Sequence, residues 1–294
     1  MTVAATDSEI VLLPAGEWRA RAAAHRERVD ALVGPYLTAR ASGSKHPVID
    51  FLFTYYGHKP AQLKRWHPGF GIALADAAEY AGTRGYHEVA AGAAWTADPA
   101  FLEKRRDTVE FVARLLSATA ARPAQLSCFG LHEWAMVYRT DDVRHQQVPL
   151  RLGTAGTDAV VESMQLRCTH FDAFRFFTPE AVPRNVEPLT RELQVDREQP
   201  GCLHANMDIY KWGFKLTPLI GSDLLLECFE LACAARELDM KASPYDLLEF
   251  GYEPIRIETP AGRAEYVRSQ ADIAARAETL RTRLLGDCRA LSGH

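Results

Sequence analysis

Apolar residues recur at helical spacing along much of this chain. Trp18, Ala22, His25, Val29, Leu32 and Tyr36 form one stripe, with Arg19, Arg21, Arg26 and Arg28 lying off it. That spacing predicts an amphipathic helix with a solvated basic face. Gly34-Pro35 and the stretch Ser42 to Pro47 punctuate the chain after it. Asp50 to Tyr56 is aromatic enough for a buried helix or strand, closed by Gly57 and Pro60. Phe101 to Ala118 reads as a helix with Phe101, Val109, Val112 and Leu116 inward, ended by Arg122-Pro123. A further helix is predicted from Cys202 to Leu216, with Leu203, Met207, Tyr210 and Phe214 as its apolar stripe. Its adjacent face carries His204, Asp208, Lys211 and Lys215. Ser222 is placed to cap a helix to about Lys241, and a last long helix starts near Gly262 with Tyr266, Ile273, Ala277, Leu280 and Leu284 inward.

Only one stretch alternates like a hairpin. Val148 to Leu152 and Val160 to Cys168 flank the turn-like segment Gly153 to Thr157. In such a strand Glu162 either points to an apolar face as a pKa-shifted acid or sits at a wet edge and meets an arginine. Residues 68–100 are rich in Gly and Ala and yield no firm element, while Pro179, Pro183, Pro188 and Pro200 mark a long extended connection. There is no internal repeat and no linker rich in Gly, Ser and Pro. The expectation is a mainly α (α+β) fold: a flexible tail over 1–14, then a single mainly helical domain over 15–294 with a small antiparallel β hairpin.

Composition narrows the function classes. Apolar residues make up 47% of the chain, enough for a substantial core. A formal charge of −4 offers nucleic acid no global attraction, so DNA binding needs a concentrated basic patch. The first 13 residues lack a signal-peptide pattern and no apolar run reaches the roughly 20 residues of a membrane span. The expectation is a cytoplasmic protein away from the membrane, its six cysteines reduced and with no Cys-x-x-Cys among them.

Three apolar segments each carry a Cys, a His and a carboxylate. They are Cys128 to Tyr138 with His132-Glu133, Arg167 to Asp172 with His170, and Gly201 to Asp208 with His204. Buried ionisable groups need partners or a task, so His132, Glu133, His170, Asp172, His204 and Asp208 are expected to share one polar centre. His204 and Asp208 stand one helical turn apart, and His132 and His170 can complete a nitrogen and oxygen shell for iron, manganese or zinc. The alternative is a polar network of hydrogen bonds. Cys-His nucleophilic catalysis is less supported, because these pairs are close in sequence rather than brought together from afar. No phosphate-binding loop, dinucleotide fingerprint or nucleophile elbow is present. His58, Lys59, Lys64, Arg65 and His67 form the densest basic cluster, interleaved with Tyr55, Tyr56 and Trp66. Such a cluster suits a nucleic-acid or nucleotide site, or long cations covering aromatic rings.

Several motifs also resemble a known group taken together. They are Lys45-His-Pro, Phe51 to Tyr56, Arg65-Trp-His-Pro68, the His132 stretch, His170 to Pro179, Gln199 to His204 and Ser243-Pro-Tyr-Asp246. Over nearly its full length the chain resembles a group of actinobacterial proteins commonly named 3-methyladenine DNA glycosylase. The resemblance implies excision of alkylated purines in DNA repair, with damaged DNA as partner. The motifs of helix-hairpin-helix and helical-repeat glycosylases are absent, so no catalytic residue carries over from them. That chemistry needs an aromatic pocket and a carboxylate. Tyr55, Tyr56 and Trp134 can stack on a base, with Trp212 beside them, and Lys59, Lys64, Arg65 and Lys211 can bind the substrate. Glu133, Asp172, Asp208 and His132 are the catalytic candidates. The rival expectation is a metal-dependent oxygenase or hydrolase acting on a small aromatic or nucleoside-like molecule. In that reading His132, His170, His204 and Asp208 hold a divalent Fe, Mn or Zn ion.

Overall fold

The structure, a computed structural model, describes residues 10–43, 46–89, 94–140 and 148–293. Lys45 and the first nine residues of the expected tail lie outside the described residues. The chain runs β1 (Val11–Leu13), α1 (Ala15–Ala41), α2 (Ile49–Tyr56), α3 (Pro60–Leu63), β2 (Ile72–Ala75), β3 (Tyr86–Val89) and β4 (Ala94–Ala97). It continues through α4 (Pro99–Glu103), α5 (Arg106–Ala120), α6 (Leu131–Ala135), α7 (Gly153–Ser163), α8 (Phe171–Phe174) and α9 (Gln194–Arg197). Three long helices close it: α10 (Leu203–Lys215), α11 (Ser222–Lys241) and α12 (Pro260–Ser292). The fold is mainly α, with one small mixed sheet.

α10, α11 and α12 pack on one another, and α5 lies against α12. Every residue of α10 from Leu203 to Tyr210 is buried, and α11 buries Leu224 to Leu226, Cys228, Phe229, Leu231 and Ala232 on several sides. Helices apolar around most of their circumference belong in a core, and these two are its centre. α1 continues past Gly34-Pro35 to Ala41, because Val33 and Tyr36 on either side are both lodged in the same core. Ser222 does not cap α11. Gly221 stands at the cap, and the Ser222 hydroxyl accepts from the His67 amide at 2.8 Å. Among the described residues no helix is long and apolar enough to cross a membrane.

The hairpin expected over 148–168 is replaced by a helix. Thr157, Val160 and Val161 are all buried, a spacing of three and four that only a helix can bury on one side. A strand would have sent the neighbours Val160 and Val161 to opposite faces. The flanks pair elsewhere, Leu150 with Tyr245 and Leu166 with Asn185, each as an isolated bridge. The sheet instead has the order β1-β2-β4-β3, three of its strands drawn from the stretch that offered no firm element. β1 is parallel to β2, with Leu13 opposite Leu74, while β4 is antiparallel to both β2 and β3. Val11–Leu13 therefore belongs to the sheet rather than to a loose tail.

α12 starts where Thr259 caps it by accepting from the Gly262 amide at 3.0 Å. A Cβ on Gly262 would lie 2.0 Å from the Arg256 carbonyl oxygen. Gly262→Ala is accordingly expected to cost about 1–3 kcal/mol, as overpacking does. A urea midpoint equal to that of the wild type would show that this start of α12 yields freely.

Candidate metal centre

Short local structures aim the polar residues inward. Phe129 and Gly130 both hold positive φ, 52° and 72°, a conformation costly for a side chain and easy for glycine. This left-handed pair turns the chain into the single turn of α6, which buries His132 and Glu133. His170 precedes the single turn of α8, which carries Asp172, and Glu198 follows α9. His204, Asp208 and Lys211 descend one face of α10, and Arg236 and Asp239 stand three residues apart on α11.

His132, His204 and Asp239 form the tightest group. All three are buried, and one ligand-capable atom from each lies within 4.8 Å of the others. His132 Nε2 and Asp239 Oδ1 are 2.7 Å apart, yet neither atom has hydrogen-bond geometry with any described partner. Two donors each about 2.1 Å from one ion and at right angles stand about 3 Å apart, so this pairing fits adjacent ligands. The His132 and His204 rings meet edge to face with centroids 4.4 Å apart. On the side of the two rings away from Asp239 is a gap of only about 10 Å³, lined by His132, His170 and His204 and by Cys128, Cys168 and Cys202. That volume matches a single atom-sized occupant. Cys128 Sγ sits 3.7 Å from His132 Nδ1, the nitrogen facing away from Asp239.

A second set of charges adjoins the first. His170 Nε2 lies 3.4 Å from Glu198 Oε1 and 3.3 Å from Asp208 Oδ2, and its ring is stacked 5.4 Å from that of His204. Lys211 Nζ bridges Asp172 and Asp208 at 2.8 Å each, and Tyr56 donates to Asp208 at 3.2 Å. Arg236 Nη1 bridges Glu133 at 2.8 Å and Asp239 at 2.9 Å. Arg191 and Arg175 reach Asp172 from the surface. Of five buried carboxylates, Asp172 and Asp208 share Lys211, Glu133 and Asp239 share Arg236, and Glu198 faces His170, with the buried Arg281 also acting on it. Burial raises the Glu198 carboxyl, and His170 beside it works in the opposite direction.

The titration of these groups follows their neighbours. Burial raises the cost of charge on Asp208 and Asp239, but Lys211 with His170, and His132 respectively, outweigh it and hold both well below the ordinary carboxylate range. Burial works against protonated His132 too, and Asp239 overrides it. Burial pushes His204 down to about 3, reinforced by the charge of His132. A neutral imidazole is the form that binds metal, so His204 is ready as a ligand, whereas an ion at His132 has to displace its proton.

A cavity of about 290 Å³ opens against His204, lined by Phe51, Tyr55, Met136, Ala173 and Phe176 with Glu133, Asp172 and Arg236. Phe51 and Tyr55 stack at 4.9 Å, and the Arg236 guanidinium lies 4.0 Å over the Phe51 ring.

The sequence candidates divide accordingly. His132, Glu133, His170, Asp172, His204, Asp208 and Lys211 come together in this connected network, with Tyr55 on the cavity wall and Tyr56 against Asp208. Trp134 is not a stacking surface: it is fully buried and donates to the Ala242 carbonyl at 2.8 Å. Lys59, Lys64 and Arg65 do not line the cavity; Lys64 pairs with Asp30, and Arg65 bonds Thr83. Glu162 is exposed on α7 and meets Arg139 at 2.5 Å, the wet alternative. The sequence pattern does not single out Asp239, Arg236 or Glu198. No protein-family model, curated protein or solved structure matches the chain.

Proposed function

We propose that this chain is a divalent-metal-dependent enzyme acting on a small aromatic substrate. The observation that carries the reading is the convergence of ligand-capable atoms of buried His132, His204 and Asp239 within 4.8 Å of one another, with His132 Nε2 and Asp239 Oδ1 lacking a hydrogen bond. Two histidines and one carboxylate leave coordination positions open, the donor set of non-haem iron oxygenases and, with zinc, of hydrolases. When bound, the ion supplies a Lewis acid and open positions for a reactant. The chain's own residues do the rest. Arg236 fixes the Asp239 carboxylate from behind, and Cys128 flanks the outer nitrogen of His132. Phe51, Tyr55, Met136 and Phe176 offer flat apolar walls to the substrate, and His204 borders both the cavity and the gap. Asp172, backed by Lys211, orients a polar substituent at the cavity wall. Six free cysteines suit a cytoplasmic setting.

Elemental analysis of protein purified without a histidine tag tests this reading. Wild type is expected to retain about one iron, manganese or zinc ion per chain, and His204→Ala to bind that ion at least roughly tenfold more weakly. The triple variant Lys59→Ala, Lys64→Ala, Arg65→Ala should keep it. Wild type that takes up no ion even on reconstitution, or His204→Ala that retains it fully, would overturn the metal reading.

Excision of alkylated purines is the second reading. Its support is the cavity itself: two stacked rings beside the carboxylates Glu133 and Asp172 suit a flipped base and its developing positive charge. Release of free base from an alkylated duplex, abolished in Asp172→Asn, would favour it over the first.

A further inference from the structure

A second cavity, of about 450 Å³, lies at the other end of α10 and takes no part in the metal centre. Arg65, Arg84, Arg105 and Lys215 reach its rim from four separate parts of the chain. None of its lining residues is acidic, and none of these four cations forms an ion pair among the described residues. Lys64, one residue away, is by contrast neutralised by Asp30. In a protein of net charge −4, four unneutralised cations gathered round one hollow call for an anion from outside.

The floor is equally specific. His58 and His67 line the cavity and are buried, with 1% and 5% of their surface exposed. His58 Nδ1 bonds the Tyr210 hydroxyl and His67 Nδ1 the Tyr86 hydroxyl, and no bond to either Nε2 occurs among the described residues. Burial pushes both down to about 3, so they stand neutral. With the tyrosine donating to Nδ1, each ring carries its proton on Nε2 and has one N–H to give. Flat surfaces complete the hollow: His58 stacks on Phe214 with centroids 3.4 Å apart, and Arg84 and Arg105 flank the Phe101 ring at 5.7 and 5.4 Å.

We infer that this cavity binds a phosphate-bearing small molecule of nucleotide size, its phosphate held by Arg65, Arg84, Arg105 and Lys215 and its ring by the aromatic floor. Guanidinium forks match phosphate oxygens, and neutral N–H groups add donors at no cost in charge repulsion. The volume suits a small ligand, whereas a duplex needs an extended cationic surface.

Calorimetric titration of the full chain with AMP, with pyrophosphate and with a short DNA duplex, each at low and high salt, tests the inference. AMP should bind more tightly than pyrophosphate. The double variant Arg84→Glu, Arg105→Glu should lose about tenfold or more in AMP affinity, since each lost charge-assisted bond is worth roughly that factor. Lys215→Ala, an exposed change, should weaken AMP in the same direction, and both variants should keep the wild-type circular dichroism and metal content. Failure of AMP to bind, AMP affinity unchanged in the double variant, or AMP no tighter than pyrophosphate would each overturn the inference. A duplex that binds tightly and displaces AMP would overturn it as well, and would give the surface to nucleic acid. None of these outcomes depends on whether His132, His204 and Asp239 hold an ion.

Discussion

Arg236→Met is expected to destabilise the fold by about 3–5 kcal/mol, the usual cost of removing one partner from a buried ion pair. Arg236 is 1% exposed and is the cation that Glu133 and Asp239 share at 2.8 and 2.9 Å. Methionine fills much of its volume but leaves two carboxylates facing each other in the core. Equilibrium urea unfolding measures the loss, and a cost below about 1 kcal/mol would show that the carboxylates find other partners. Under the metal reading the loss is partly reversible. A divalent ion at 100 times its dissociation constant would restore about 2.7 kcal/mol by binding only the folded state.

Lys211→Met should cost about 3 kcal/mol, at the low end of the same range, because Arg191 remains on Asp172 and His170 on Asp208. The pH dependence identifies the cause. Burial opposes the charged forms of Asp172, Asp208 and Lys211, but their mutual attraction depresses the two carboxyls and raises the amine. A depressed carboxyl contributes stability above its unfolded value of about 3.9, and this is lost as pH falls through the folded value. A raised amine contributes below its unfolded value of about 10.4 and loses this as pH rises through the folded one. The gap between wild type and Lys211→Met should therefore be widest between about pH 5 and 9 and shrink toward acid below about pH 4. A gap independent of pH would mean that packing, not charge, holds Lys211 in place.

The long helices were legible because their core stripes persist over many turns. Met207, Tyr210 and Phe229 recur where the structure buries them. α7 looks like a strand in the sequence because Val160-Val161 carries strand-forming side chains after a Gly-rich segment, which masks the helical spacing to Thr157. The real strands are three or four residues long, too short for alternation to show, and β2 and β4 are rich in alanine, as in Ile72-Ala-Leu-Ala75. Of the candidate centre, the histidines and Asp208 stood out as charges inside apolar segments. Asp239 and Arg236 did not, because α11 also carries exposed charges and no local pattern distinguishes a pair turned inward from a pair turned out. Glu198 sits in an extended connection, where the sequence carries no orientation at all.

α10 acts as a ruler. Lys215 stands eleven residues after His204 along the helix, a rise of about 16 Å. His204 borders the cavity beside the metal centre, and Lys215 borders the cationic hollow. A small molecule in one hollow is too short to touch the other, so the two chemistries are spatially insulated from each other while sharing a single rod. α11 and α12 both pack against that rod and hold it in the core. The spacing between the two hollows is therefore set by the helix itself, whichever of them is filled.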